Sequence, residues 1–384
     1  MKEYLLGVIG ENLRRAELLT LRIPSPLPSA ELSGVAQRCS DRLRECVAVL
    51  RSIQEDPDLG NPDYTGVHLR ILRRVIRSLF EVEVYALPAM ARFTDDERFL
   101  TRLLFQLHQE INYPLPPPIA ACFASDYYWS YPEMNVVYVP LAESEMILHL
   151  PDLVHEMGHI LIHNLLDARI TVFRDHYERC RQIVDQHYRR QLADRRTSGG
   201  PQDYLRLEAH FRQQWLDKWL QEIVCDVFAV FVLGPPFVWA HCHLAAKLCK
   251  HIFWFSHDQV TTHPADDARM KAMLASLRLS GFEDEAKAVD EQWQQLVKIL
   301  GHKKDVDYHL AYPDDLIEAI AVEIHQGTSA LGCCMRSKEV TSKDDDSSVV
   351  GLLTNAWNAF WQNPKDYSKW EEKQMQIWRK RGSR

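Results

Sequence analysis

A chain of 384 residues, 46% of them hydrophobic, can bury a large core, and its length suggests about two domains. A net charge of -8 argues against a protein built to grip nucleic acid, because phosphate binding needs a basic surface. Nine cysteines, an odd number without the spacing of a small disulfide scaffold, point to a reducing compartment, so a cytoplasmic location is expected.

The first apolar stretch is soon interrupted by Glu11, Arg14 and Arg15 and reads as an amphipathic helix, not an export signal. Apolar residues then recur at helical spacing, as in Leu43, Val47, Leu50 and Ile53 or Leu69, Leu72, Val75, Ile76 and Leu79. Residues 1–110 are therefore expected to be a helical region, broken by IPSPLPS and DPDLGNPD and closed by the proline-dense YPLPPPI. Ile119 to Ala124 and Asn135 to Val139 read as short strands joined by a loop that carries Tyr127, Tyr128 and Trp129.

Asp152 is placed to cap a helix through LVHEMGHILIHNLL. A second helical pattern runs to about Arg196, TSGGPQ turns the chain, and a third runs from Tyr204 to Leu233, so a helical hairpin is expected over about 170–220. The apolar run Ile223 to Leu233 is too short for a bilayer, contains Asp226 and stops at Gly234-Pro235-Pro236, which makes it a buried helix and leaves no membrane span. Residues 281–384 read as a further helical region with a polar loop at TSKDDDSS and a basic tail. The expected fold class is α+β, mostly α-helical, with a small β-sheet.

The chemistry concentrates at His155-Glu156-Met157-Gly158-His159, an HExxH motif. On a helix its histidines lie one turn apart on one face, where both can reach one zinc ion, while Glu156 sits beside them as a general base for a metal-bound water. Gly158 costs about 1 kcal/mol in a helix interior, which suits a close backbone approach. A catalytic zinc needs a third protein ligand. The metzincin continuation fails, because Ile162 and Leu165 stand where it requires glycine and histidine. Glu222, separated from His159 by 62 residues, supplies a carboxylate, and Asp226 one turn later can fix the tautomer of a ligand histidine. A pair of carboxylates bonded to arginines is the alternative reading of Glu222 and Asp226.

Thr262-His263-Pro264 with Arg269 follows in order. HExxH, then ExxxD followed by Phe-Ala, then a His-Pro turn with a later arginine, together resemble the soluble catalytic core of the HtpX-like and CAAX prenyl protease family of gluzincins, over roughly residues 115 to 280. The resemblance implies a zincin-like core over residues 111–280, one Zn2+ per chain, His263 as oxyanion stabiliser and Arg269 as support for the Glu222–Asp226 helix. Members of that family are embedded in membranes and this chain lacks their spans, so their substrate class does not transfer.

The sequence thus leads to a zinc endopeptidase acting on a protein or peptide that lies along the Asn135–Val139 strand, with helical flanks that restrain the site until a regulatory protein partner arrives. Two alternatives stay open: a zincin-fold binding or scaffold protein, and a zinc amidohydrolase with a non-peptide substrate. Among other polar residues, His163 reads as a surface histidine, His241 and His243 do not share a helical face, His149 could line the cleft, and Cys333 and Cys334 read as solvated loop cysteines.

Overall fold

The computed structural model describes residues 2–125, 127–199, 201–248, 250–338 and 347–381. Most of the polar loop expected at TSKDDDSS and the last three residues of the basic tail lie outside the described residues. Helices dominate, and a small three-stranded sheet separates two packing layers, so the α+β, mostly helical class is observed.

The first layer holds α1 (Lys2–Thr20), α2 (Ser33–Gln54), α3 (Pro62–Glu81) and, after a π turn, the short α4 (Leu87–Ala91). Asn61 caps α3 by accepting from Asp63 N at 3.1 Å, with Pro62 occupying the position where its missing N–H costs nothing. Helix α5 (Asp95–Glu110) starts with a capping box between Thr94 and Glu97. Glu97 also accepts from Cys122 N at 3.1 Å and Thr101 Oγ1 from Ala120 N at 3.0 Å, which ties α5 to the first strand.

Strands β1 (Ile119–Ala121), β2 (Trp129–Tyr131) and β3 (Val136–Tyr138) are ordered β1-β3-β2. β3 pairs with β1 in parallel, Ile119 opposite Val136, and with β2 antiparallel, Trp129 opposite Tyr138. Side chains alternate between the layers, as the two-residue strand period requires. Ile119, Ala121, Val136 and Tyr138 join the core of α1 to α4, while Ala120, Cys122, Val137 and Val139 join the larger core beyond. Residues 1–110 therefore divide between the two cores, α5 belonging to the second. Trp129 stacks on Tyr138 with centroids 4.0 Å apart and packs, half-buried, against the first core.

The larger core surrounds α9 (Leu220–Leu233), which is buried on nearly every side. Against it pack α6 (Asp152–His163), α11 (Asp266–Leu279) and α14 (Asp314–Ala330). Helices α7 (Thr171–Thr197) and α8 (Gln202–Gln214) form the hairpin, held by Arg195 Nε to Glu208 at 2.8 Å and Arg212 Nε to Asp185 at 2.6 Å. α10 (Pro235–Leu248), α12 (Glu283–Leu300), the short α13 (Tyr308–Ala311), α15 (Val349–Gln362) and α16 (Tyr367–Arg381) complete the shell. Among the described residues no helix is long and apolar enough to cross a membrane.

Candidate metal centre

Helix α6 carries the HExxH residues and is buried along most of its length. Asp152 does not cap it. It is the first helical residue, and its carboxylate accepts from Tyr127 Oη at 2.6 Å. The same helix is fixed from behind by Tyr113, whose hydroxyl donates to Met157 O at 2.8 Å.

Gly158 is what lets α9 approach. A β-carbon there would lie 3.0 Å from the Cα, Cβ and Sγ of Cys225, so any larger residue collides with the partner helix. This contact brings Glu222 over both histidines. Its Oε1 lies 3.4 Å from His159 Nε2 and its Oε2 lies 3.4 Å from His155 Nε2. The two imidazole centroids are 4.9 Å apart.

Behind this trio stands Asp226, fully buried, with Oδ1 2.9 Å from His155 Nδ1. Arg269, from α11, grips the same carboxylate through Nε at 2.8 Å and Nη2 at 2.7 Å. The alternative reading of the two carboxylates thus holds for Asp226, which is arginine-bound, and not for Glu222. Burial alone would push Asp226 up, but Arg269 and His155 outweigh it and hold the group well below the usual carboxylate range. Burial likewise opposes the charge on His155, yet Asp226 and Glu222 raise it to about 10. Glu222, despite the upward push of burial, is held at about 2 by His159, His155 and His263.

His263 reaches the site on the loop before α11. Its Nε2 lies 3.7 Å from Glu222 Oε2, its Nδ1 shares a 2.9 Å contact with Thr262 Oγ1, and its side chain is 62% exposed. His159 is 22% exposed, so solvent reaches the site from the side of these two residues while His155, Glu156 and Glu222 stay buried. The His263 loop is clamped by the buried Gln214, which accepts from Thr261 N at 3.0 Å and donates to Gln259 O at 3.1 Å. Trp219 Nε1 adds a bond to Thr261 Oγ1 at 2.9 Å.

The structure therefore gathers His155, His159, Glu222, Asp226, His263 and Arg269 in one place, with Glu156 buried on the same helix as the two histidines. It adds Cys225, whose Sγ lies within 4.8 Å of ligand nitrogens of both His155 and His159. The glycine at 158 was its only sequence signal, since a helix that needs glycine faces a close neighbour. Nothing in the sequence marked Gln214 or Tyr113, because their bonds are set by tertiary packing.

A cation fits these groups. Glu222 Oε2 is buried without a hydrogen-bond partner, facing His155 and His263, an arrangement that is costly unless a positive charge completes it. Two imidazoles and a carboxylate are also the donor types of a catalytic zinc. Between the two candidates for third ligand, Glu222 is the better, because its two oxygens face His155 and His159 at 3.4 Å each.

Other expectations end elsewhere. His163 lies 4.0 Å from Glu133 on an exposed edge. His149 is buried against Lys247 and His243 and does not line the cleft. His241 points to Asp266 O, while His243 meets Trp357. Cys333 is buried in the larger core, because the chain passes beneath α5 there, and Cys334 alone of that pair is exposed. His257, Asp305 and Asp307 form a second grouping on exposed loops, at ion-pair distances of 3.7 Å.

β3 cannot receive a peptide, since both its edges are already paired. β1 and β2 are the edge strands; β1 is covered by α5, whose Thr101 and Glu97 accept from Ala120 N and Cys122 N, whereas the outer edge of β2, which packs against α6, pairs with no strand among the described residues.

Comparison with protein-family models, with curated proteins and with solved structures gave no match.

Proposed function

We propose that this protein is a zinc-dependent endopeptidase of the gluzincin type, with one zinc held by His155, His159 and Glu222. The observation that carries the reading is the buried Glu222 carboxylate, whose two oxygens face the two histidines of an HExxH helix at 3.4 Å each, the one facing His155 without a hydrogen-bond partner. Zinc, when bound, supplies an acidified water and polarises a carbonyl. Glu156 would serve as general base toward the attacking water and then as general acid toward the leaving amine. His263 donates a hydrogen bond to the oxygen that gains charge. Asp226, held by Arg269, keeps His155 in the tautomer that presents Nε2. The peptide adds to the free edge of β2, where main-chain hydrogen bonds align it with α6.

All eight described cysteines are free, which supports a reducing compartment such as the cytoplasm. A cytoplasmic peptidase of this kind needs restraint, so a regulatory protein partner belongs to the same proposal.

Zinc per chain, measured on protein purified without added metal, tests the centre. About one equivalent is expected in wild type and in Cys225→Ser, with strong loss in Glu222→Ala. Retention by Glu222→Ala with loss by Cys225→Ser would transfer the third ligand to sulfur. Glu156→Gln should keep its zinc and lose at least about a hundredfold in peptide-library hydrolysis. Full zinc without hydrolysis of any peptide by the wild type would leave the scaffold and non-peptide amidohydrolase readings in its place.

A further inference from the structure

The α1–α4 layer meets the site helix at a cavity of about 350 Å3, between α2, the turn after β2 and the last turn of α6. Arg38, Arg42, Glu133, Asn135, His163 and Arg169 are among the residues that line it. One wall is stiff: Asn135, at φ 58°, donates from Nδ2 to Pro117 O at 2.9 Å and to Pro116 O at 3.3 Å.

The charges of the cavity do not cancel. Asp167 is consumed by Arg169, with Nε to Oδ1 at 3.0 Å and Nη2 to Oδ2 at 2.7 Å. Glu133 stands 4.0 Å from His163. Arg42 has a loose contact with Glu45 at 3.5 Å. Arg38 is half-buried and makes no hydrogen bond or ion pair among the described residues. A cation partly removed from water without a counter-ion is costly, and a bound anion offsets that cost.

The position of this surplus charge relates it to the metal centre. His163 lies one helical turn beyond His159 on α6. Pro132 and Glu133 follow directly on the end of β2 at Tyr131, and Arg42 is close enough to act electrostatically on the Tyr131 phenol. A peptide on the free edge of β2 therefore runs toward the cavity.

We infer that the cavity is a specificity subsite, in which Arg38, assisted by Arg42, binds the carboxylate side chain of an acidic residue in an extended peptide. The inference rests on reading the α6–α9 centre as a peptidase. The guanidinium offers parallel N–H donors that match a carboxylate, and the half-buried setting strengthens such charge-assisted bonds. The subsite also gives the α1–α4 layer a part in substrate choice.

The full-length Glu156→Gln protein provides the test, by fluorescence anisotropy with labelled Ala/Gly decapeptides. The peptides carry one Glu at successive positions, or Gln instead, with amidated C-termini; one neutral peptide has a free C-terminus. The expected result is about tenfold tighter binding of one Glu register over its Gln counterpart, the size of a charge-assisted hydrogen bond. Adding Arg38→Met should bring the Glu-to-Gln ratio near one, and Arg38→Lys should restore part of it.

Equal binding of Glu and Gln peptides, or a preference untouched by Arg38→Met, overturns the subsite. A gain confined to the free C-terminus also overturns it, by showing that the site reads a chain end. Wild-type hydrolysis with no preference for Glu sinks the subsite and spares the peptidase reading. A Glu preference in binding, with no hydrolysis of any peptide, does the reverse.

Discussion

A β-carbon at position 158 would sit 3.0 Å from the Cα of Cys225, and backbone of a buried helix cannot rotate out of the way as a flexible side chain can. Two effects compete in Gly158→Ala. Helix propensity favours alanine by about 1 kcal/mol, while overpacking a filled core costs about 1–3 kcal/mol. The clash should win, because relief requires α6 and α9 to part, and the same parting carries Glu222 away from His155 and His159. Urea denaturation is therefore expected to show a net loss of up to about 2 kcal/mol, together with zinc content well below that of wild type. A stabilised variant with full zinc would show that the helices have room to spare.

Between elements, the strongest polar link at the site joins α9 to α11 through Asp226 and Arg269, both buried. Removing one partner strands the other. Arg269→Met should cost about 3–5 kcal/mol, since the Asp226 carboxylate would keep only His155 as a neighbour, whereas adding Asp226→Leu should recover a good part of the loss. Strictly additive losses in the denaturation series would mean that the two residues act independently. The double variant should still bind zinc more weakly than wild type, because nothing then orients His155.

Across the whole molecule, one buried histidine ties pH to stability. His149 joins the segment before α6 to α10 and is surrounded by Lys247 at 3.3 Å, the His243 ring at 5.3 Å and Glu143 at 3.9 Å. Burial, then the charges of Lys247 and His243, lowers it to about 3. The unfolded chain takes up this proton near pH 6.5 and the native chain does not, so the native state loses stability as pH falls from about 6.5 to about 3. That loss is on the order of 5 kcal/mol over the whole window, and it is absent at neutral pH. His149→Gln should flatten the stability profile over that window by about one proton, read from urea midpoints at pH 7, 5 and 4. Parallel profiles would remove His149 from the account.

The sequence by itself determined the helical class, the buried helix at Ile223 to Leu233 and the motif residues, because periodicity and motif spacing are local properties that side-chain chemistry enforces wherever the helix lies. It also carried the need for a close neighbour at Gly158 without saying which residue that is. Only the tertiary structure decided that Cys225 is that neighbour, that Asp152 bonds Tyr127 instead of capping α6, and that β3 is sandwiched while β2 keeps the free edge. The order of strands, the partners of Gln214 and the cavity around Arg38 depend on residues far apart in the chain. Such contacts are selected by how whole layers pack, and a one-dimensional pattern holds no record of them.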